Sequence, residues 1–292
     1  MRIADNMRFD TVQRSLSALR SRQATLTGQI SSGSRIGAPS DDPAAASRLT
    51  RIAAQSARTA DYRSTISTVR SDLELSEAGL AQASDLMVRA KELALQGSNG
   101  SLTADDRRML ANEVETIQKQ FLSTANTRGS RGFLFSGNLT NKAALDDSGT
   151  YQGDSSEHEV EISPGVTTSV SVTGAEAFTS AGGADAYATL SALRAALESN
   201  DAEGVAHTLT DLETSRTQIV RTQAKTGLIM NRLDSADEAL STTALELDRR
   251  RSTLGDVDPF SALSELNQLS TTLQQAIAVA RTTLGTGNND TF

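Results

Sequence analysis

Apolar residues in this chain recur at steps of three and four, not two. Phe9, Val12, Leu16, Leu19, Gln23, Leu26 and Ile30 follow one another at that spacing without a break. The spacing places them on one helix face as an a/d seam. Ser31-Ser32-Gly33 predicts the helix end, because glycine accepts the left-handed turn that closes a helix. After a short loop, Asp42 and Pro43 predict a new start. The carboxylate can cap free N–H groups, and proline at the first helical position has no N–H to lose.

The second predicted helix runs from Pro43 to about Gln96, with the seam Ile66, Val69, Leu73, Ser76, Leu80, Ala83, Met87, Ala90 and Ala94. Gly97-Ser98-Asn99-Gly100 reads as a turn, and Thr103 with Asp106 as a capping box. Leu110, Val114, Ile117, Phe121 and Ala125 face inward on a third helix. Beyond Gly129 the period changes. Glu157–Ser163 and Thr167–Thr173 alternate around Pro164-Gly165, and Gly132–Gly137 is short, apolar and glycine-bounded, all strand signals.

Helical spacing returns from about Asp185 to Asn200 and from about Gly204 to Leu254. The seam there is Ile219, Gln223, Thr226, Met230, Leu233, Asp237, Leu240, Ala244, Leu247, Arg251 and Leu254. Asp258-Pro259 repeats the earlier start signal. The last helix carries Leu263, Leu266, Ser270, Leu273, Ile277, Ala280 and Leu284, and a polar tail follows Gly285. The predicted fold is mainly α: an elongated antiparallel helical bundle or coiled coil drawn from both chain ends, with a small β-rich insertion. The expected segments are an N-terminal inner helix and loop (1–42), bundle helices (43–128), the β-rich insertion (129–184), returning bundle helices (185–255), and a C-terminal inner helix and tail (256–292).

Composition narrows the function. Of 292 residues only 3% are aromatic, so leucine, isoleucine, valine and alanine must fill the core. No apolar run approaches the roughly 18–20 residues of a membrane span. The N-terminus lacks the apolar stretch of a cleaved signal. Without cysteine there is no disulfide, thiolate metal site or thiol nucleophile. The net charge of −8 argues against general nucleic-acid binding. Residues 1–36 nonetheless carry +4 and residues 129–185 carry −6. The basic arm reads as a solvated helix face or partner surface.

Candidate chemistry is sparse. Asp41 and Asp42 form a carboxylate pair, but the following Pro43 makes a capping turn the better reading. His158 and His207 are the only histidines and lack partners at metal-ligand spacing. No Ser–His–Asp set is legible, and Gly182-Gly183 lacks the Lys-Ser/Thr of a phosphate loop. No catalytic, metal or cofactor residue is expected. The seams at 9–30 and 259–284 read as surfaces that neighbouring subunits cover, since short amphipathic helices are marginal alone.

Ser31-Ser32-Gly33-Ser34-Arg35-Ile36 followed by Pro39-Ser40-Asp41-Asp42-Pro43 resembles the N-terminal signature of the flagellin superfamily. The Pro-Ser-Asp-Asp-Pro form is similar to its hook–filament junction branch more than to filament flagellin. Met1-Arg2-Ile3, Asn99-Gly100, Gly132–Gly137, Tyr151-Gln152-Gly153-Asp154 and the segment Asp256–Leu284 also match. The polar end after Leu284 departs from a flagellin-like apolar terminus. The resemblance implies a structural protein outside the cell, exported unfolded without a cleaved signal through the flagellar type III channel. Implied partners are further copies in a ring or helical layer, the first hook-associated protein, flagellin and an export chaperone. Filament flagellin itself is the alternative, and a non-flagellar signalling coiled coil a second one, which would keep its heptads through a tight tip in place of a β insertion.

Overall fold

The computed structural model describes the backbone of residues 2–285 and the side chains of residue 7 and residues 9–281. Seven helices and two small antiparallel ladders lie within the described residues. They form two compact units, one of residues 1–58 with 243–292, the other of residues 59–242. The mainly helical bundle with a small β insertion is the architecture the sequence predicts. The polar tail after Gly285 and the side chain of Leu284 lie outside the described residues.

Helix α1 spans Arg2–Ser32, α2 Pro43–Gly97, α3 Ala104–Ala125, α5 Ala186–Glu198, α6 Ala202–Gly255 and α7 Pro259–Gly285; the one-turn α4 is Gly174–Phe178. Every predicted seam residue of α2 from Ile66 to Ala94 is buried. The repeat extends further back, because Ala45, Ile52 and Thr59 are buried at the same seven-residue interval. A strict seven-residue period is the pattern of helices that pack side by side as coiled coils.

Helix α6 corrects the sequence reading. Val205, Leu212, Ile219, Thr226, Leu233, Leu240 and Leu247 are buried seven apart, as the spacing predicts from Ile219 onward. The companion stripe is Thr208, Ser215, Thr222 and Ile229, not Gln223, Met230 and Asp237, which are only half-buried, while Arg251 is exposed. The threonines can take core positions because each bonds to its own helix: Thr208 donates to Val205 O at 2.8 Å, Thr222 to Gln218 O at 2.9 Å and Thr226 to Thr222 O at 3.0 Å. Ser215 Oγ is buried without a described partner.

The second unit owns the continuous core, all of it between Ile66 and Leu240. Side chains such as Leu80, Leu93, Leu190 and Leu197, almost wholly buried, each contribute about 1.5–3 kcal/mol through burial. The α2–α3 turn is fixed from both sides. Thr103 and Asp106 form the predicted capping box, with Asp106 N donating to Thr103 Oγ1 at 3.2 Å and Thr103 N to Asp106 Oδ2 at 3.0 Å. Arg107, 4% exposed, donates to Gly97 O at 2.8 Å, Asn99 O at 2.7 Å, Leu102 O at 3.2 Å and Asn200 Oδ1. One guanidinium thereby satisfies carbonyls that the end of α2 leaves open.

Within 129–184 the strands are shorter than the alternation suggests. β1 (Arg128–Gly129) pairs with β2 (Gly132–Phe133), and β3 (Glu159–Ser163) with β4 (Val166–Ser169). Pro164-Gly165 makes the turn, with Gly165 at φ +74°. α4 carries no sequence signal. Its Phe178 packs edge-on against Phe121 and Phe135 at centroid distances of 5.3 and 5.2 Å, so three of the seven phenylalanines join the insertion to α3. Gln218 grips the chain after α4: its Nε2 donates to Ala177 O at 3.1 Å and Ala184 O at 2.7 Å, and its Oε1 accepts from Ala184 N at 3.0 Å. Asp72, buried on α2, accepts from Ser130 N at 2.7 Å, Ser130 Oγ at 2.8 Å and Arg131 Nε at 3.3 Å. Burial opposes the charge of Lys225, but its pairing with Glu157 and Glu176 outweighs that and holds its pKa above the ordinary value.

Candidate assembly surface

The first unit brings the two chain ends together. α1 and α7 pack against each other, and two connections fix their direction. Near the end of α1, Arg35 N donates to Gly255 O at 2.7 Å and Val257 N to Gly33 O at 3.0 Å, a short antiparallel exchange centred on Ser34 and Asp256. Farther along, Arg22 pairs with Glu265. The helices therefore run antiparallel. Gly33, at φ +70°, supplies the left-handed turn that ends α1.

The Asp-Asp pair is committed to the loop. Asp41 Oδ2 accepts from Gly37 N at 3.0 Å and Ala38 N at 2.8 Å. Asp42 Oδ1 accepts from Ala45 N at 2.9 Å, capping the helix that Pro43 begins, and its other oxygen lies 3.7 Å from Arg35. Asp258 Oδ1 accepts from Phe260 N at 3.1 Å at the start of the helix that Pro259 opens. α1, the loop and α7 enclose a cleft of about 570 Å³ lined by Arg22, Leu26, Arg35, Asp41, Asp258 and Glu265.

The seam residues are unevenly covered. Leu26 is buried at 2% exposure. Val12, Leu16, Leu19 and Ile30 on α1, and Leu266, Leu273 and Ile277 on α7, are half-buried. Phe9 and Leu263 are exposed, as are Met7 and Phe260, the last at 86%. On α7 the face turned inward is Ala262, Leu266, Leu269, Leu273, Ala276 and Ala280, a heptad series in which Ala262 and Ala280 are buried. The predicted Leu266, Ser270, Leu273, Ile277 and Ala280 are covered as well, and among the described residues of the predicted seam Leu263 alone is exposed. Ala262, which the predicted seam leaves out, is small enough to sit where two helix backbones come close.

Both histidines belong to the second unit. His207 is exposed, 4.0 Å from Glu203. His158 is pushed below the ordinary imidazole value by burial and by nearby Arg131. Among the described residues no cluster of three or more His, Asp or Glu side chains fits a metal ion, and no helix is long and apolar enough to cross a membrane.

Comparison with known proteins agrees with this architecture. Residues 3–140 match the bacterial flagellin N-terminal helical region and residues 209–283 the bacterial flagellin C-terminal helical region, together well over half of the chain. Flagellar hook-associated protein 3 of Salmonella typhimurium is 27% identical over 298 aligned positions, covering 94% of each chain. A solved putative flagellar hook-associated protein from Vibrio parahaemolyticus is 28% identical, with a TM-score of 0.69 over 74% of this chain and all of that one. The structure of Xanthomonas campestris FlgL shares the fold at 19% identity, with a TM-score of 0.61 over 70% of this chain and 99% of its own. A chain that matches both helical ends of flagellin, and hook-associated protein 3 along nearly its whole length, belongs to the flagellin superfamily.

Proposed function

We propose that this chain is a structural axial protein of the bacterial flagellum that joins the hook to the flagellin filament, not an enzyme. The carrying observation is the antiparallel α1–α7 pair, whose leucine seam is only half covered within one chain. The near full-length match to hook-associated protein 3 supports the junction over the filament. Segments 43–128 and 185–255 supply the bundle, 129–184 the insertion, and 1–42 with 256–292 the surfaces that neighbours cover.

The neighbours are further copies of the chain in a ring or helical layer, the first hook-associated protein on the hook side and flagellin on the filament side. The chain reaches this extracellular position by the flagellar type III route, escorted by an export chaperone that takes the apolar stripe of α7 before secretion. Gold-labelled electron microscopy of purified flagella is the test. Label confined to a short band where hook meets filament is expected. Label along the whole filament would favour flagellin, and label absent from flagella would overturn the proposal.

A further inference from the structure

We propose that the exposed turn between α2 and α3 carries a self-promoted deamidation site, Asn99, which converts to aspartate and isoaspartate without an enzyme. Asn99-Gly100 is the one Asn-Gly step in the sequence. Glycine leaves the following amide nitrogen unshielded, and a Cβ placed on Gly100 would meet no atom within 4 Å.

The turn also supplies catalytic geometry. Asn99 Oδ1 accepts two hydrogen bonds from one residue, from Ser101 N at 3.1 Å and Ser101 Oγ at 2.9 Å. The ring closed by the Ser101 N–H runs through Asn99 Cγ and Gly100 N, so the side chain is held toward the chain that follows it. The same two donors face the oxygen on which negative charge develops, the arrangement that stabilises an oxyanion in acyl transfer.

The chemistry needs only water. Deprotonated Gly100 N forms a bond to Asn99 Cγ, and the carbonyl electron pair moves onto Oδ1. That pair returns as the Cγ–Nδ2 bond breaks, and the nitrogen leaves as ammonia with a proton taken from solvent. Water then opens the succinimide at one carbonyl or the other. Opening at Cγ gives an ordinary aspartate at position 99; opening at the main-chain carbonyl gives isoaspartate, which lengthens the backbone by one carbon. Either product adds one negative charge. The isoaspartyl product also displaces the residue 99 carbonyl that accepts from buried Arg107 at 2.7 Å, so the change reaches the clamp that ties the ends of α2 and α5.

The test is incubation of the full-length protein at neutral and mildly alkaline pH, followed by mass spectrometry of the tryptic peptide 92–107 and isoaspartyl-specific methyl labelling. Expected is conversion at Asn99 well ahead of the other asparagines, faster at higher pH. Ser101→Ala, with Gly100 kept, should slow it on the order of tenfold, the worth of one hydrogen bond competing with water. Gly100→Ala should slow it further, and circular dichroism confirms that both variants fold. An intact Asn99 under conditions that deamidate an Asn-Gly peptide would overturn the proposal. Conversion at an unchanged rate in Ser101→Ala would overturn the role of the Ser101 hydroxyl at the reacting carbonyl.

Discussion

Arg22 on α1 directs two donors, Nε at 3.0 Å and Nη2 at 2.6 Å, onto a single oxygen of Glu265 on α7. The two residues are 243 positions apart. The pair marks where the chain ends meet, yet both side chains remain about half exposed, so water competes for each charge. A double-mutant cycle of Arg22→Ala and Glu265→Ala should therefore give a coupling of only about 0.2–1 kcal/mol, measured by hydrogen exchange in α1 and α7. A much larger coupling would mean that this pair, not the neighbouring apolar seam, holds the helices together.

Gln218 should be far more costly to lose. Replacement by Leu keeps the volume but leaves Ala184 N and the Ala177 and Ala184 carbonyls without their partner in a buried site. About 2–4 kcal/mol of destabilisation is expected in urea unfolding. A neutral effect would show that the segment after α4 finds other partners.

The acid limb of stability follows from carboxylates held ionised by the fold. The Ser148 hydroxyl, with the Thr150 and Ser148 amides and Gln152, lowers Asp146 below its ordinary 3.8. The side-chain bond from Arg63 lowers Asp237 in the same way. A depressed folded pKa gives stability that is complete above the unfolded value and lost as pH falls through the folded one. Melting temperature should thus hold down to about pH 5 and fall below about pH 4. Asp146→Asn should flatten part of that slope. At the alkaline end, burial raises the Tyr151 hydroxyl to about 12. A raised folded pKa gives stability that is present below the unfolded value near 10 and lost as pH rises toward 12. Tyr151→Phe should remove this loss.

The helical plan was legible because seam residues such as Leu73, Leu80 and Met87 are both bulky and strictly periodic. Three features were not, each for a physical reason. The Thr208–Ser215–Thr222 stripe looks polar until each threonine's bond to its own helix is counted. The α7 seam also takes in Ala262, whose value is closeness and not bulk. α4 is a single turn, too short to show a period, and is held by Phe178 contacts between residues distant in sequence. At the assembly surface, the Asp42 and Asp258 caps read directly from Asp-Pro. The Arg35–Gly255 exchange needs both chain ends in view at once.

Limited proteolysis should strip α1 and α7 from the rest of the chain. The continuous core lies within residues 66–240, whereas α1 and α7 share a half-covered seam and fray more readily. A dilute protease should trim about the first 40 and last 35 residues of a verified monomer before cutting the rest. Resistant termini would show that the α1–α7 pair is already complete in one chain.

The most direct measurement is motility and filament growth in cells whose only copy carries Leu16→Asp and Leu19→Asp. Both residues are half-buried on the α1 seam. Two charges there should cost about several kcal/mol per subunit of apolar contact and desolvation. The core of residues 66–240 contains neither position, so its thermal transition should stay in place, and the variant should still be secreted. Hooks without filaments, with flagellin released into the medium, are expected. Normal filaments would contradict α1 as the surface through which copies pack, and loss of the core's thermal transition would contradict its independence from α1.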